Sequence, residues 1–217
     1  FSFVLLTSCD FRSSEDHHRA ANKLEQEGKF TEAIACLDNA IRKDPHNIKA
    51  LLDRAVDKSI LNDFKGAIDD YTRVSQLDSA NGLAFLNRGK NKMRLEDYTG
   101  ALVDFDKAIA TKGGESLYVD NVENPSFENS FEYDVKMEEI RFERGIAYYR
   151  TDSLNESFED FNFCVQKSYL LPECYYWTGI IYLRYDMNPE GCRNLRKAME
   201  LGEQGAKEVV DKYCGNL

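Results

Sequence analysis

The sequence predicts an all-α protein of helical hairpins stacked side by side and closed by a capping helix. Three observations carry this. Small side chains recur 34 residues apart, at Ala33, Ala67 and Ala101, and again at Gly145 and Gly179 and at Ser157 and Gly191. Around them three small positions repeat, the second 12 residues after the first and the third 7 beyond it. A turn-forming segment lies between the first and second member of every triplet. A fixed period of this length marks a helix pair that cannot bury its own apolar face and must lean on a neighbour.

The elements follow in order. Residues 1–13 precede the first period. The first unit carries Ala21/Ala33/Ala40 around the turn Glu27-Gly28-Lys29, and Asp44-Pro45 ends it because proline cannot continue a helix. The second carries Ala55/Ala67/Val74 around Leu61-Asn62-Asp63, and the third Gly89/Ala101/Ala108 around Leu95-Glu96-Asp97. Antiparallel helices approach closely only where side chains are small, so each triplet marks the contact ridge of a hairpin. Phe30, Phe64, Tyr98 and Leu154 lead into second helices, whose inner faces hold Leu37, Tyr71, Phe105, Phe161 and Leu195. Leu24, Tyr148 and Tyr182 support first helices.

Gly113-Gly114 breaks the third unit, and Ala101 and Ser157 stand 56 residues apart, 22 more than one period. The insertion, 116–137, interleaves acidic residues with Tyr118, Phe127, Phe131 and Tyr133. Loops of this length are functional or unstructured. Two readings stay open: a solvated insertion tucked against the next unit, or an arm that meets a partner. Units four and five occupy 138–205, with Gly145/Ser157/Cys164 and Gly179/Gly191/Ala198. In the last, Asn188 is expected to cap the second helix with Pro189 in its first turn. Residues 206–217 read as an amphipathic capping helix with Ala206, Val209, Val210 and Tyr213 on its inner face.

Composition narrows function. With 42% hydrophobic and 30% charged residues among 217, the chain has material for a continuous core. A net charge of −10 argues against a nucleic-acid binder, which needs a basic face to displace counterions. The six cysteines form no Cys-x-x-Cys pair, and no histidine stands at a metal-ligand spacing from them, so neither metal nor cofactor is expected. Cys164 and Cys174, at the end of one helix and the start of the next, are either bridged or free, and a free thiol fits the small core position of Cys164. No nucleophile elbow, phosphate-cradling glycine loop or His-Glu-x-x-His occurs, and His17, His18 and His46 are poorly placed to chelate. No enzyme is expected.

Arg88-Gly89, followed by Leu95-Glu96-Asp97-Tyr98-Thr99-Gly100-Ala101 and Asp104-Phe105-Asp106-Lys107-Ala108-Ile109, resembles the tetratricopeptide repeat (TPR) family. The resemblance covers 14–115 as three units and 138–205 as two. It departs at Val74, at Lys58 and Lys92 where an aromatic is usual, and in lacking a proline after units two to five. It implies a right-handed α-α superhelix of five helical hairpins whose first helices line a concave groove for a protein or peptide partner. The mapped groove positions are His18, Arg19, Asn22, Leu52, Asp53, Val56, Leu86, Asn87 and Lys90, then Phe142, Glu143, Ile146, Tyr149, Arg150, Tyr176, Trp177, Ile180, Leu183 and Arg184. Aromatics and arginine dominate binding hot spots. The partner-binding residues expected are therefore Phe142, Tyr149, Arg150, Tyr176, Trp177, Ile180 and Arg184, with Asn87 and Lys90. The chaperone-receiving branch of the family clamps a C-terminal carboxylate; here those positions hold His18, Asn22, Asp53, Leu83 and Asn87, and Asp53 would repel it.

The first nine residues, ending Leu6-Thr7-Ser8-Cys9, resemble the end of a bacterial lipoprotein signal peptide. That resemblance implies lipid attachment at Cys9, loss of residues 1–8, and a place in the cell envelope of a Gram-negative bacterium. The expectation is a lipid-anchored, non-enzymatic TPR scaffold that binds protein or peptide through its groove. The alternatives are an accessory subunit of a larger envelope or secretion complex, touching partners through its convex face and insertion, and a carbohydrate binder at the aromatic end.

Overall fold

The computed structural model describes residues 13–111 and 135–215. Among these residues every regular element is an α-helix. They are α1 (Ser14–Gln26), α2 (Phe30–Lys43), α3 (Ile48–Ile60), α4 (Phe64–Leu77), α5 (Gly82–Arg94), α6 (Tyr98–Ala110), α7 (Met137–Arg150), α8 (Leu154–Gln166), α9 (Leu171–Arg184), α10 (Asn188–Glu200) and α11 (Gln204–Tyr213). Two compact units divide between Asp97 and Tyr98, inside the third sequence period rather than at the insertion. In the first, α1 pairs with α2 and α3 with α4, and α5 packs on α4. In the second, α6 packs on α7, α7 pairs with α8 and α9 with α10, and α11 closes on α10. The proposed lipid-bearing Cys9 and nearly all of the insertion lie outside the described residues. No helix among the described residues is long and apolar enough to cross a membrane.

The small triplets do the work their spacing implies, since every one of their positions is buried. A Cβ on Gly179 would stand 2.7 Å from the Leu195 side chain and 3.1 Å from the Gly191 carbonyl oxygen, so α9 and α10 touch backbone to backbone. At Gly145 the Phe161 ring fills the space 3.1 Å from where a Cβ would be, and the Ser157 hydroxyl donates to the Gly145 carbonyl at 2.8 Å. Leu37, Tyr71, Phe105, Phe161 and Leu195 are 0–1% exposed. Each such side chain contributes about 1.5–3 kcal/mol of burial free energy.

The first helix of each period ends alike. Gly28, Asn62, Glu96, Asp152 and Asp186 take φ between 57° and 72°. The next N–H then returns to the carbonyl five residues back, Lys29 to Leu24, Asp63 to Lys58, Asp97 to Lys92, Ser153 to Tyr148 and Met187 to Tyr182, at 2.8–2.9 Å. This is the Schellman cap, which satisfies carbonyls a helix end leaves open. At the next corner Asn47 and Asn81 accept from the Ala50 and Ala84 amides at 3.0 and 2.9 Å, capping α3 and α5.

Three details differ from the sequence reading, and one left open is decided. Asn188 is the first residue of α10 and caps nothing, because the Schellman bond from Met187 turns the chain into the helix one residue early; Pro189 does lie in the first turn. Phe30, Phe64, Tyr98 and Leu154 open the second helices rather than precede them. Tyr213 is 55% exposed, and Cys214 takes the inward place, joined to Cys192 by a disulfide. Cys164 and Cys174 are free buried thiols, donating to the Glu138 and Tyr169 carbonyls at 3.3 Å each.

Candidate functional site

Helical spacing sets Phe142, Ile146 and Tyr149 along one stripe of α7. They meet Trp177 of α9 over the buried Phe161, Cys164, Cys174 and Ile181. Trp177 stacks on Phe161 with ring centroids 5.8 Å apart and planes 6° from parallel, and it leans on Tyr149 at 5.0 Å. Phe142 meets Phe161 edge-on at 5.7 Å and Tyr169 at 6.3 Å. Offset and edge contacts of this kind add to area burial and fix ring orientation. The exposed Arg184 lays its guanidinium 5.6 Å from the Tyr149 centroid and pairs with Asp152 at 2.7 Å. Arg150, also exposed, lies 5.8 Å from the Tyr98 ring.

Tyr176 and Ile180 turn the other way, onto Cys192, Leu195 and Cys214 beside Val209 and Val210. Phe142, Tyr149, Tyr176, Trp177 and Ile180 are all half-buried: each packs within its own hairpins and keeps one edge in solvent. Burial raises the phenols of Tyr169, to about 12, and of Tyr176, so both remain neutral donors at physiological pH. Asn87 and Lys90 sit on α5 in the first unit, whereas the aromatic residues belong to the second. Asn87 serves packing there: its side chain bonds the buried Tyr71 and its carbonyl accepts from Asn91 at 2.8 Å.

One polar constellation was missed in the sequence reading, and a second was found only in part. Arg54 donates to both oxygens of Asp70, at 2.9 and 2.5 Å, and to Asp38 of the preceding hairpin at 2.6 Å. Arg144 repeats the arrangement with Asp160, at 2.7 and 2.8 Å, and with Asp106 at 2.8 Å. Arg54 and Arg88 stand one period apart, and arginine and aspartate are 16 residues apart in both bidentate pairs; that offset was the available signal. Lys58, which replaces the usual aromatic, also reaches Asp70 at 2.7 Å. The second constellation lies on α1 and α3. His18 bonds Asp53 at 2.5 Å, and that bond raises the imidazole against the opposing effect of burial. One helical turn beyond Asp53, Asp57 is 1% exposed and pushed up to about 7 by burial and then by the charges of Glu25 and Asp53. His18, Asn22 and Asp53 are mapped groove positions, whereas Glu25 and Asp57 are not.

No protein-family profile and no curated protein matches this sequence. Solved structures do match its fold. MamA 41-end from Desulfovibrio magneticus RS-1 superposes with a TM-score of 0.72 at 16% identity, over 87% of this chain and 94% of that one. YrrB, described as a TPR protein with an unusual peptide-binding site, gives 0.71 at 18% identity over 90% of each chain. PilW, a widely conserved type IV pilus biogenesis factor, gives 0.64 at 15% identity over 90% of this chain and 78% of that one. With the helical periods and their caps, these likenesses establish a tetratricopeptide-repeat fold.

Proposed function

We propose that this chain is a non-enzymatic scaffold that binds another protein or a peptide along the α7 and α9 face. One observation carries the reading: Tyr149 leans on Trp177, both pack with Phe142 on the buried cluster around Phe161 while staying partly exposed, and the exposed Arg184 flanks them. Rings already fixed by their neighbours lose little freedom on binding, and an arginine beside them offers paired donors to a carboxylate or a backbone carbonyl. The fold likeness to YrrB supports a peptide or protein as the ligand. On the resemblance of Leu6-Thr7-Ser8-Cys9 to a lipobox, the scaffold is anchored by lipid at Cys9 to a Gram-negative envelope membrane.

Affinity capture from envelope extracts, comparing wild type with Arg184→Glu and Trp177→Phe, tests the binding face. Both variants are expected to recover the partner at least about ten-fold less well, the loss typical of a hot-spot residue. Equal recovery by both variants, with loss only on deleting 116–135, would favour the accessory-subunit reading. Incorporation of an alkyne fatty acid by wild type but not by Cys9→Ser tests the anchor.

A further inference from the structure

Two of the expected partner-binding residues, Tyr176 and Ile180, lean on the closing helix. With Leu183 they pack on Cys192, Leu195 and Cys214, beside Val209 and Val210 of α11. The Tyr176 ring reaches the first turn of α11: its Cε2 and Cζ atoms stand 3.8 and 3.9 Å from where a Cβ on Gly205 would lie. Glu203 fixes that turn by accepting from the Gly205 amide at 3.0 Å. Tyr176 in turn meets Trp177 edge-on, with ring centroids 5.5 Å apart and planes 75° from parallel. Trp177 thus sits among Phe161 at 5.8 Å, Tyr149 at 5.0 Å and Tyr176. Phe161 and Tyr149 belong to the α7–α8 hairpin, whereas Tyr176 takes its support from α11.

Packing alone gives α11 little hold. Its 10 residues make a helix too short to be stable in water by itself. Ala206 is buried, but Val209 and Val210 are only half-buried and Tyr213 points into solvent. So small an apolar face is a weak counterweight to the entropy of ordering the segment. Chain continuity through 201–203 pins the first turn to α10, and the Cys192–Cys214 bond pins the other end. There Arg196 also donates to the Cys214 carbonyl at 3.0 Å. Because helix formation is cooperative, releasing the far end loosens the first turn under Tyr176 as well.

We propose that Cys192 and Cys214 are positioning residues of the binding face: their disulfide keeps α11 docked under Tyr176, and Tyr176 holds the Trp177 ring in its binding orientation. The inference rests on the reading of the α7 and α9 face given above and adds the condition under which that face is complete. A Trp177 ring fixed on every side loses little freedom when a partner arrives, whereas one released beside Tyr176 has to be ordered by the partner. Binding is thereby tied to a compartment in which the bond forms. Its formation removes two protons and two electrons from the thiols, and a disulfide oxidant takes them up by exchange. Both cysteines are buried once α11 is docked, so the bond persists in the folded chain.

Trp177 is the single tryptophan, so its emission reads the effect without a partner. In the full chain, C192A/C214A is expected to shift that emission to longer wavelength and to raise its quenching by iodide. Tyr176→Ala should give the same change with the disulfide intact, and combining the two should add little, since both act through one contact. Tyr176→Phe keeps the ring and should behave as wild type. Wild type whose bond is opened by a water-soluble phosphine, with water supplying the oxygen and the protons, gives the same reading without mutation. Partner capture by C192A/C214A should fall about ten-fold, the loss typical of a hot-spot residue. Unchanged emission and quenching in the disulfide-free chain overturns the proposal, as does a wild-type signal from Tyr176→Ala or a fully additive effect in the triple variant. So does undiminished capture by C192A/C214A where Arg184→Glu weakens capture. Capture that Arg184→Glu does not weaken would sink the binding-face reading and leave the spectra standing, so the two fail separately.

Discussion

Asp160 shows how single residues hold this fold. Its side chain is 2% exposed and receives two bonds from Arg144, with Arg141 at 3.7 Å. Burial alone would lower the Arg144 guanidinium, but its bonds to Asp160 and Asp106 outweigh that and raise it. Arg144→Met is expected to cost about 3 kcal/mol in chemical denaturation, because it strands a buried carboxylate, and Asp160→Leu in the same chain should recover most of it. Asp57 gives the pH prediction. Its carboxyl holds a proton more tightly when folded, up to about 7, so its contribution is complete below the ordinary carboxylate range and is lost as pH rises through 7. His18, raised by Asp53, loses its contribution in the same direction. Asp57→Asn should therefore narrow the drop in melting temperature between pH 5 and pH 8; an unchanged drop would show that Asp57 is not the group responsible. These pairings were hard to read in the sequence. A lone arginine or aspartate on a helix has the same local pattern whether it is solvated or locked to a residue 16 positions away, and only the recurrence of that offset distinguishes the two.

At the scale of elements the sequence was far more legible. Close helix approach demands small side chains at fixed intervals, so the triplets announced both the hairpins and the buried ridge. The turns were placed correctly, but not their geometry: Glu96 sits at φ 62°, a conformation glycine adopts without strain. Glu96→Gly should raise stability by about 0.5–1 kcal/mol, the steric relief being partly offset by a looser unfolded chain. The cap was half legible. The pattern of α11 placed Tyr213 inside, but the Cys192–Cys214 disulfide, closing 22 residues of chain, draws Cys214 inward and leaves the tyrosine in water. By loop-closure entropy the bridge contributes about 3 kcal/mol. Cys214→Ser should lower stability by that order and speed hydrogen exchange through 204–213, where the wild-type helix is pinned at its end. Exchange unchanged in that segment would mean that packing on Leu195 alone holds α11.

The whole molecule is acidic, with a net charge of −10, so a partner with basic segments would associate faster at low ionic strength. Its candidate binding residues were legible as positions in the repeating frame. What the frame could not show is that Tyr149 packs on Trp177 and that both, with Phe142, pack on the buried cluster around Phe161, because helical periodicity gives a side chain's face but not the depth of its burial. Trp177 is the single tryptophan in the chain, so its emission reports this face without any label. The most direct measurement is a titration of the captured partner against the full chain, following Trp177 emission and iodide quenching. Binding at this face should give a spectral shift and reduced quenching that saturate with partner and vanish in Arg184→Glu. Saturable partner binding that leaves Trp177 emission and quenching unchanged would contradict it.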